Sequence, residues 1–212
     1  MSLTLILVIM TAIISYQAFN NPAMRQKLIF NPAVVRERGE WYRFLTHGFI
    51  HANWMHLIVN MYVLWIFGEV IERFFVSAVF GRGLGYIMYL LLYLSAIVVA
   101  AIPAYIRHAG NFHYNALGAS GATSALVFAY ILLDPWQWFL FPPLPALLVG
   151  ILYLWYSSYM DKRGGDNIAH DAHFWGAVYG LAFTVASAII FRPELLQYFV
   201  DALMQGPSAP QF

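Results

Sequence analysis

The chain has no cysteine among its 212 residues, and Lys, Arg, Asp and Glu together make up only 10% of it. The first absence excludes a disulfide framework, a thiol nucleophile and a Cys-ligated zinc site. The second excludes an ordinary soluble domain, where about a quarter of residues are charged. A net charge of +1 leaves no basic surface for a nucleic-acid partner. The first apolar run, Leu3–Phe19, lacks the Lys/Arg-rich start and small-residue cleavage site of a signal peptide, so it reads as a retained helix. Nor is there an internal repeat of the kind that marks secondary transporters. Any chemistry has to come from Ser, His, Asn and carboxylates.

What is present is apolar. Hydrophobic residues make up 61% of the chain and the mean hydropathy is +0.65, which predicts an integral, multi-pass membrane protein. The length allows about six spans with short connections in an all-α bundle, one domain over residues 1–212. Apolar runs place the helices at about 3–19, 54–75, 84–106, 120–134, 144–160 and 168–191. Residues 20–53 are mixed: Asn-Pro occurs at Asn21-Pro22 and Asn31-Pro32, charges come next, and then Trp41, Tyr42, Phe44 and Phe49. This predicts an interfacial loop, or a packed substructure, at headgroup level. The uncharged Trp136–Pro145 connection predicts a tight turn in the same zone, Asp161–Asn167 a polar loop, and the segment after Pro193 a short amphipathic, frayed end.

One run stands apart. Gly118-Ala119-Ser120-Gly121-Ala122 sets a hydroxyl among small residues at the start of a helix that Pro135 must stop. At 1.5 Å per residue that helix is about 21 Å long, against a hydrocarbon core of about 30 Å. It cannot cross alone, so the polar approach from Arg107 to Asn115 has to descend into a wet cavity with Ser120 at its floor. Ser120 is the candidate nucleophile; mere contact between two helices is the competing account of the same small residues. In the last helix, His173, Gly176, Ala177 and Gly180 fall within a narrow arc at about 100° per residue. That face admits a neighbouring backbone, and beside Ser120 the imidazole could accept its proton. A structural histidine is the alternative. Asp171 lies about 200° round from His173, which predicts a Ser–His dyad without a carboxylate. His56 and Asn60, four apart, share a face and could supply oxyanion donors together with the Ser120 amide, or serve as interhelical glue.

Gly118-Ala119-Ser120-Gly121, His56 with Asn60, Trp41-Tyr42-Arg43-Phe44-Leu45-Thr46, His51, and Ala172-His173 with Gly176 and Gly180 together resemble the rhomboid intramembrane serine proteases, from about Trp41 to Phe191. The resemblance implies a six-transmembrane-helix bundle of the rhomboid type, with Ser120 attacking a peptide carbonyl and His173 as base. It also implies an oxyanion site of His56, Asn60 and the Ser120 amide, and structural roles for Gly118, Gly121, Gly176, Gly180, Arg43 and His51. No cofactor or metal is implied. Substrates would be single-span membrane proteins entering from the lipid, in a bacterial plasma membrane. Many relatives carry an aromatic residue four positions after the nucleophile; here it is Ser124, so another ring (Phe174, Trp175 or Tyr179) has to steady the imidazole, or catalysis is weaker. The implied orientation puts Arg25, Lys27, Arg36, Arg38, Arg43, Arg107, Lys162 and Arg163 outside, against the positive-inside rule. Two other functions fit parts of the pattern: a catalytically silent rhomboid-like protein that binds membrane clients, and a metal or haem site built from His47, His51, His56, His170 and His173.

Overall fold

The computed structural model describes residues 1–139, 143–163 and 169–207. Within these the chain is helical, without strands: α1 Leu3–Asn20, α2 Pro22–Leu28, α3 Pro32–Arg38, α4 Arg43–Thr46, α5 Trp54–Phe74, α6 Arg82–His108, α7 Ser120–Leu133, α8 Ala146–Arg163, α9 His170–Phe191 and α10 Glu194–Met204. A π-helical turn, Phe75–Val79, extends α5. Among the described residues four helices are long and apolar enough to cross a membrane: α1, α5 with its extension, α6 and α9. The expected six are thus four long apolar helices plus two others. With 14 residues, α7 is too short, and α8 ends in Asp161, Lys162 and Arg163. Large apolar side chains face outward along the long helices, among them Ile9, Ile58, Ile87, Ile106 and Ile190, as a lipid-facing surface requires.

The short helix sits at the centre. α7 packs against α5, α6 and α9, and ten of its 14 residues are buried. A helix enclosed on all sides has no need of a polar face, and its small residues let the neighbours approach. A Cβ built on Gly176 would lie 2.1 Å from the Gly121 carbonyl oxygen, and one on Gly180 2.1 Å from the Ala125 carbonyl oxygen. The backbones of α7 and α9 therefore touch, which only glycine at these two positions permits.

The far end of the bundle is closed by buried polar bonds. Glu72 on α5 accepts from the Leu3 and Thr4 amides and the Thr4 hydroxyl at 3.0, 2.8 and 2.7 Å, which satisfies N–H groups that the first turn of α1 leaves over.

Of the two forms expected for residues 20–53 the packed substructure is the one found, and the C-terminal segment differs from expectation. Residues 20–53 fold into α2, α3 and α4. Asn21 and Asn31 are N-caps that accept from the Met24 and Val34 amides, each with Pro next in the first turn, so the Asn-Pro pairs start helices and do not mark a loop. Arg43 then holds the end of α2, its guanidinium donating to the Gln26 and Ile29 carbonyls at 2.8 and 2.7 Å and to Glu40 at 2.6 Å. The C-terminal segment is not frayed through residue 204. Instead α10 is docked by Trp136 Nε1 donating to the Leu203 carbonyl, by Tyr198 donating to the Leu133 carbonyl, and by buried Phe199. The described flanks of the Trp136–Pro145 connection pair at Trp138 and Pro145. Residues 140–142 of that turn, and residues 164–167 of the Asp161–Asn167 loop, lie outside the described residues, as does Ile168, the expected start of the last helix.

Candidate active site

The irregular backbone leading to Ser120 is held by the interfacial segment. Phe30 and Ala116 exchange backbone hydrogen bonds of 3.1 and 2.9 Å, and the Gly118 amide donates to the His47 carbonyl at 2.9 Å. Asn31 Nδ2 donates to the Phe112 and Tyr114 carbonyls at 2.9 and 3.0 Å. The Ala119 amide donates to His51 Nε2 at 3.3 Å. Backbone polar groups at depth are thereby satisfied without a sheet or helix. Gly118 has φ +118°, in the region that favours glycine, and a Cβ there would lie 2.5 Å from the His56 ring. Both the turn and the close approach of His56 require glycine at this position.

Hydrogen bonds fix the histidine tautomers. Ser15 donates its hydroxyl proton to the Phe49 carbonyl and accepts from His51 Nδ1, both at 2.9 Å; His51 Nε2 is then the bare nitrogen that receives the Ala119 amide. His56 Nδ1 accepts from the Ala52 amide at 3.4 Å, so its proton sits on Nε2, at the edge that lies against Gly118. Asn60 gives one Nδ2 proton to the His56 carbonyl at 2.8 Å, and its Oδ1 accepts from the Thr123 hydroxyl at 3.2 Å. The first-turn amides of α7 have no carbonyl of their own helix to bond. One small region thus contains the Ser120 helix start, the His56 Nε2–H and the Asn60 amide.

His173 comes from the opposite side. Its neighbour Ala172 lines the same cavity as Ser120 and His47, of about 20 Å³, roughly one water in size. The ring stacked on His173 is Tyr153 of α8, with centroids 5.8 Å apart and planes 19° apart. It is not Phe174 or Trp175, which pair with each other, nor Tyr179, which packs on Phe183 and bonds Ser95. His170 is buried and meets His173 edge-on, the ring centroids 5.7 Å apart. Asp171 Oδ1 accepts from the Ala172 amide, and the residue lines a separate cavity with Ser157, Asp161 and Trp175. Among the described residues no group of three or more His, Asp or Glu is arranged for a metal ion. The histidines form two ring pairs, His51 with His56 and His170 with His173, while His47 Nδ1 donates to the Arg43 carbonyl. Spacing alone did not mark Tyr153, Thr123 or Ser15, and it offered His47 only as a metal or haem ligand; each reaches the site from a distant part of the chain or as a neighbour in the fold.

A polytopic helical membrane protein, with a serine at the start of a short central helix and at the edge of a small cavity, is the class that this fold and this site define. Residues 38–189 match the Rhomboid domain family, and the chain belongs to the rhomboid family. It is 28% identical over 161 residues to the rhomboid protease GlpG of Haemophilus influenzae, covering 73% of each chain. It is 29% identical over 150 residues to the mitochondrial RHOMBOID-like protein 12 of Arabidopsis thaliana, covering 66% of this chain and 44% of that one. Over 85 residues it is 35% identical to the rhomboid protease GluP of Bacillus subtilis, covering 40% of this chain and 14% of that one. The chain thus spans less than half of some of these relatives.

Burial makes the site's supports sensitive to acid. Desolvation pushes His47 from the usual 6.5 down to about 4. Desolvation, with His56 nearby, pushes His51 down to about 3. The unfolded chain takes up these protons near pH 6.5 and the folded one does not, so their contribution is full above pH 6.5 and is lost as pH falls toward 4 and then 3. Thermal unfolding in detergent should show a midpoint that declines steadily from pH 7 to pH 4. His51→Asn, destabilised at pH 7, should show a shallower decline; an equal slope in the variant would separate acid sensitivity from His51.

Proposed function

We propose that the protein is an intramembrane serine endopeptidase that cleaves single-span membrane proteins within or beside their membrane segments. In this reading six helices (α1, α5, α6, α7, α8 and α9) cross the bilayer as one rhomboid-type domain over residues 1–212, in a bacterial plasma membrane such as those of the Haemophilus and Bacillus relatives. Ser120 attacks the substrate carbonyl, His173 takes its proton and later returns it to the leaving amine, and no metal or cofactor takes part. The oxyanion is received by His56 Nε2–H, Asn60 Nδ2–H and the Ser120 amide. The observation that carries the reading is the backbone contact of α7 and α9 at Gly176 and Gly180. That contact leaves the helix start of α7 and the first turn of α9 side by side at one cavity. Membership in a family whose relatives include named proteases adds to it.

The test is incubation in detergent with a fluorogenic single-span substrate, beside Ser120→Ala. Turnover should be confined to the wild type, and a fluorophosphonate probe should label Ser120. Ser124 and Ser95 should stay unlabelled, because their hydroxyls are engaged with Tyr153 and Tyr179 at 2.7 Å. Turnover by the Ser120→Ala protein would assign the reaction elsewhere.

Asn60→Ala removes one donor while the helix-start amide remains. It should lower kcat by roughly 10²-fold or less with KM little changed. A folded variant with unaltered kcat would take Asn60 out of the oxyanion site.

A further inference from the structure

We infer that Tyr153 of α8, held by Ser124 of α7, is the positioning residue for the His173 imidazole. The inference rests on the proteolytic reading of Ser120 and His173. Ser124 lies four residues after Ser120, one helical turn on and on the same face. Its own side chain is too small to reach and steady an imidazole on α9. It is buried, and its hydroxyl bonds the Tyr153 hydroxyl at 2.7 Å. The other end of that bond carries a phenol ring lying nearly parallel over His173 at 5.8 Å. This is the offset geometry that two aromatic rings prefer. A ring that α7 does not carry at position 124 is thus supplied by α8 and fixed to α7 by one hydroxyl pair.

The same face of α8 extends the support. Tyr156, three residues on, meets His170 edge-on at 5.7 Å, and His170 in turn meets His173. α8 therefore seats both imidazoles of α9. An imidazole that must receive a proton from Ser120 needs its ring plane set. Asp171 does not set it: among the described residues its Oδ1 is occupied by the Ala172 amide and its Oδ2 has no hydrogen-bond partner. The Tyr153 stack limits rotation of the ring without adding charge at membrane depth.

The test moves the ring from one helix to the other. Tyr153→Ala should lower kcat by about 10- to 100-fold, the order expected for a displaced catalytic group, with KM unchanged and the protein folded. Tyr153→Phe keeps the ring and loses the hydroxyl bond, and should cost only a few-fold, on the order of one hydrogen bond. Ser124→Tyr placed in the Tyr153→Ala protein returns an aromatic ring beside His173 into the space vacated, and should recover most of the loss. A purely structural role for Tyr153 would not be rescued in this way.

A second readout does not depend on activity. In the wild type and in Tyr153→Phe the His173 ring protons should show an upfield ring-current shift in NMR spectra, absent in Tyr153→Ala. Wild-type kcat in folded Tyr153→Ala, or a loss as large in Tyr153→Phe as in Tyr153→Ala, would overturn the inference. If the wild type itself neither cleaves nor labels beyond Ser120→Ala, the proteolytic reading fails, and Tyr153 as a positioning residue for it fails too. The NMR shift then still reports whether the stack exists.

Discussion

His173→Ala should abolish proteolysis, lowering kcat by at least about 10³-fold, and should abolish fluorophosphonate labelling of Ser120, whereas His170→Ala should leave a folded enzyme with at least partial activity. The two histidines are three residues apart at the start of α9, and both are held by rings of α8. Helix geometry separates them. His173 lies about 60° from Gly176 and about 20° from Gly180 around the helix axis, while His170 lies at the edge of that arc. Since those glycines are the points where α9 touches the Gly121 and Ala125 carbonyls, the residue that shares their face is the one turned toward α7, the helix that Ser120 opens. On the proposed reading, removing His173 removes the proton acceptor, and a serine is a weak nucleophile without one. Removing His170 removes a neighbour that meets His173 edge-on, which should loosen the base and leave it in place. Turnover measured with one single-span substrate, with labelling in parallel, decides the matter. An active His173→Ala, or a folded but inactive His170→Ala, would exchange the roles and with them the packing argument.

The second large effect concerns the contact itself. Gly180→Ala and Gly176→Ala each place a methyl carbon 2.1 Å from a backbone carbonyl oxygen of α7. A flexible side chain could yield to such an intrusion, but here the obstacle is helix backbone, so the two helices must separate along their length. Overpacking of this kind costs about 1–3 kcal/mol or more, which in a chain of this size lowers the unfolding midpoint by roughly 2–12 °C. The same separation draws the first turn of α9 away from Ser120, so activity should fall further than stability accounts for. Gly83→Ala is the control: a Cβ there meets nothing within 4 Å, so both midpoint and activity should stay near wild type. If Gly180→Ala unfolds at the wild-type temperature and keeps its activity, α7 and α9 are not in backbone contact.

Much of this arrangement was readable along the chain because it depends on spacing within one helix. Pro135 sets the end of α7 whatever surrounds it, so its inability to cross a membrane alone comes from counting residues. The shared face of His56 and Asn60, and the glycine arc that includes His173, come from the 3.6-residue period. The Asn-Pro pairs were visible too, but as punctuation. Whether such a pair ends a turn or caps a helix depends on whether the residues after it find a partner, and α2 finds one in the Arg43 guanidinium bonded to its last carbonyls.

Other features had no local signal. The chain has 14 tyrosines, and nothing near Tyr153 distinguishes it from the others; it becomes the ring on His173 because α8 packs against α9 and Ser124 offers its hydroxyl a bond. His51 holds the Ala119 amide through a nitrogen whose protonation is set by Ser15, 36 residues earlier. The amphipathic pattern after Pro193 marked a short, frayed end, but the Leu133 carbonyl and the Trp136 indole that dock α10 belong to the end of α7 and the turn after it. The sequence by itself therefore determined the membrane class, the short central helix and the faces that carry serine, histidine and asparagine, since periodicity and chain stops act over a few residues. Only the tertiary structure decided which ring stacks on His173, which tautomers His51 and His56 take and how the loop before Ser120 is held, because each depends on a hydrogen bond or stack that the sequence does not mark.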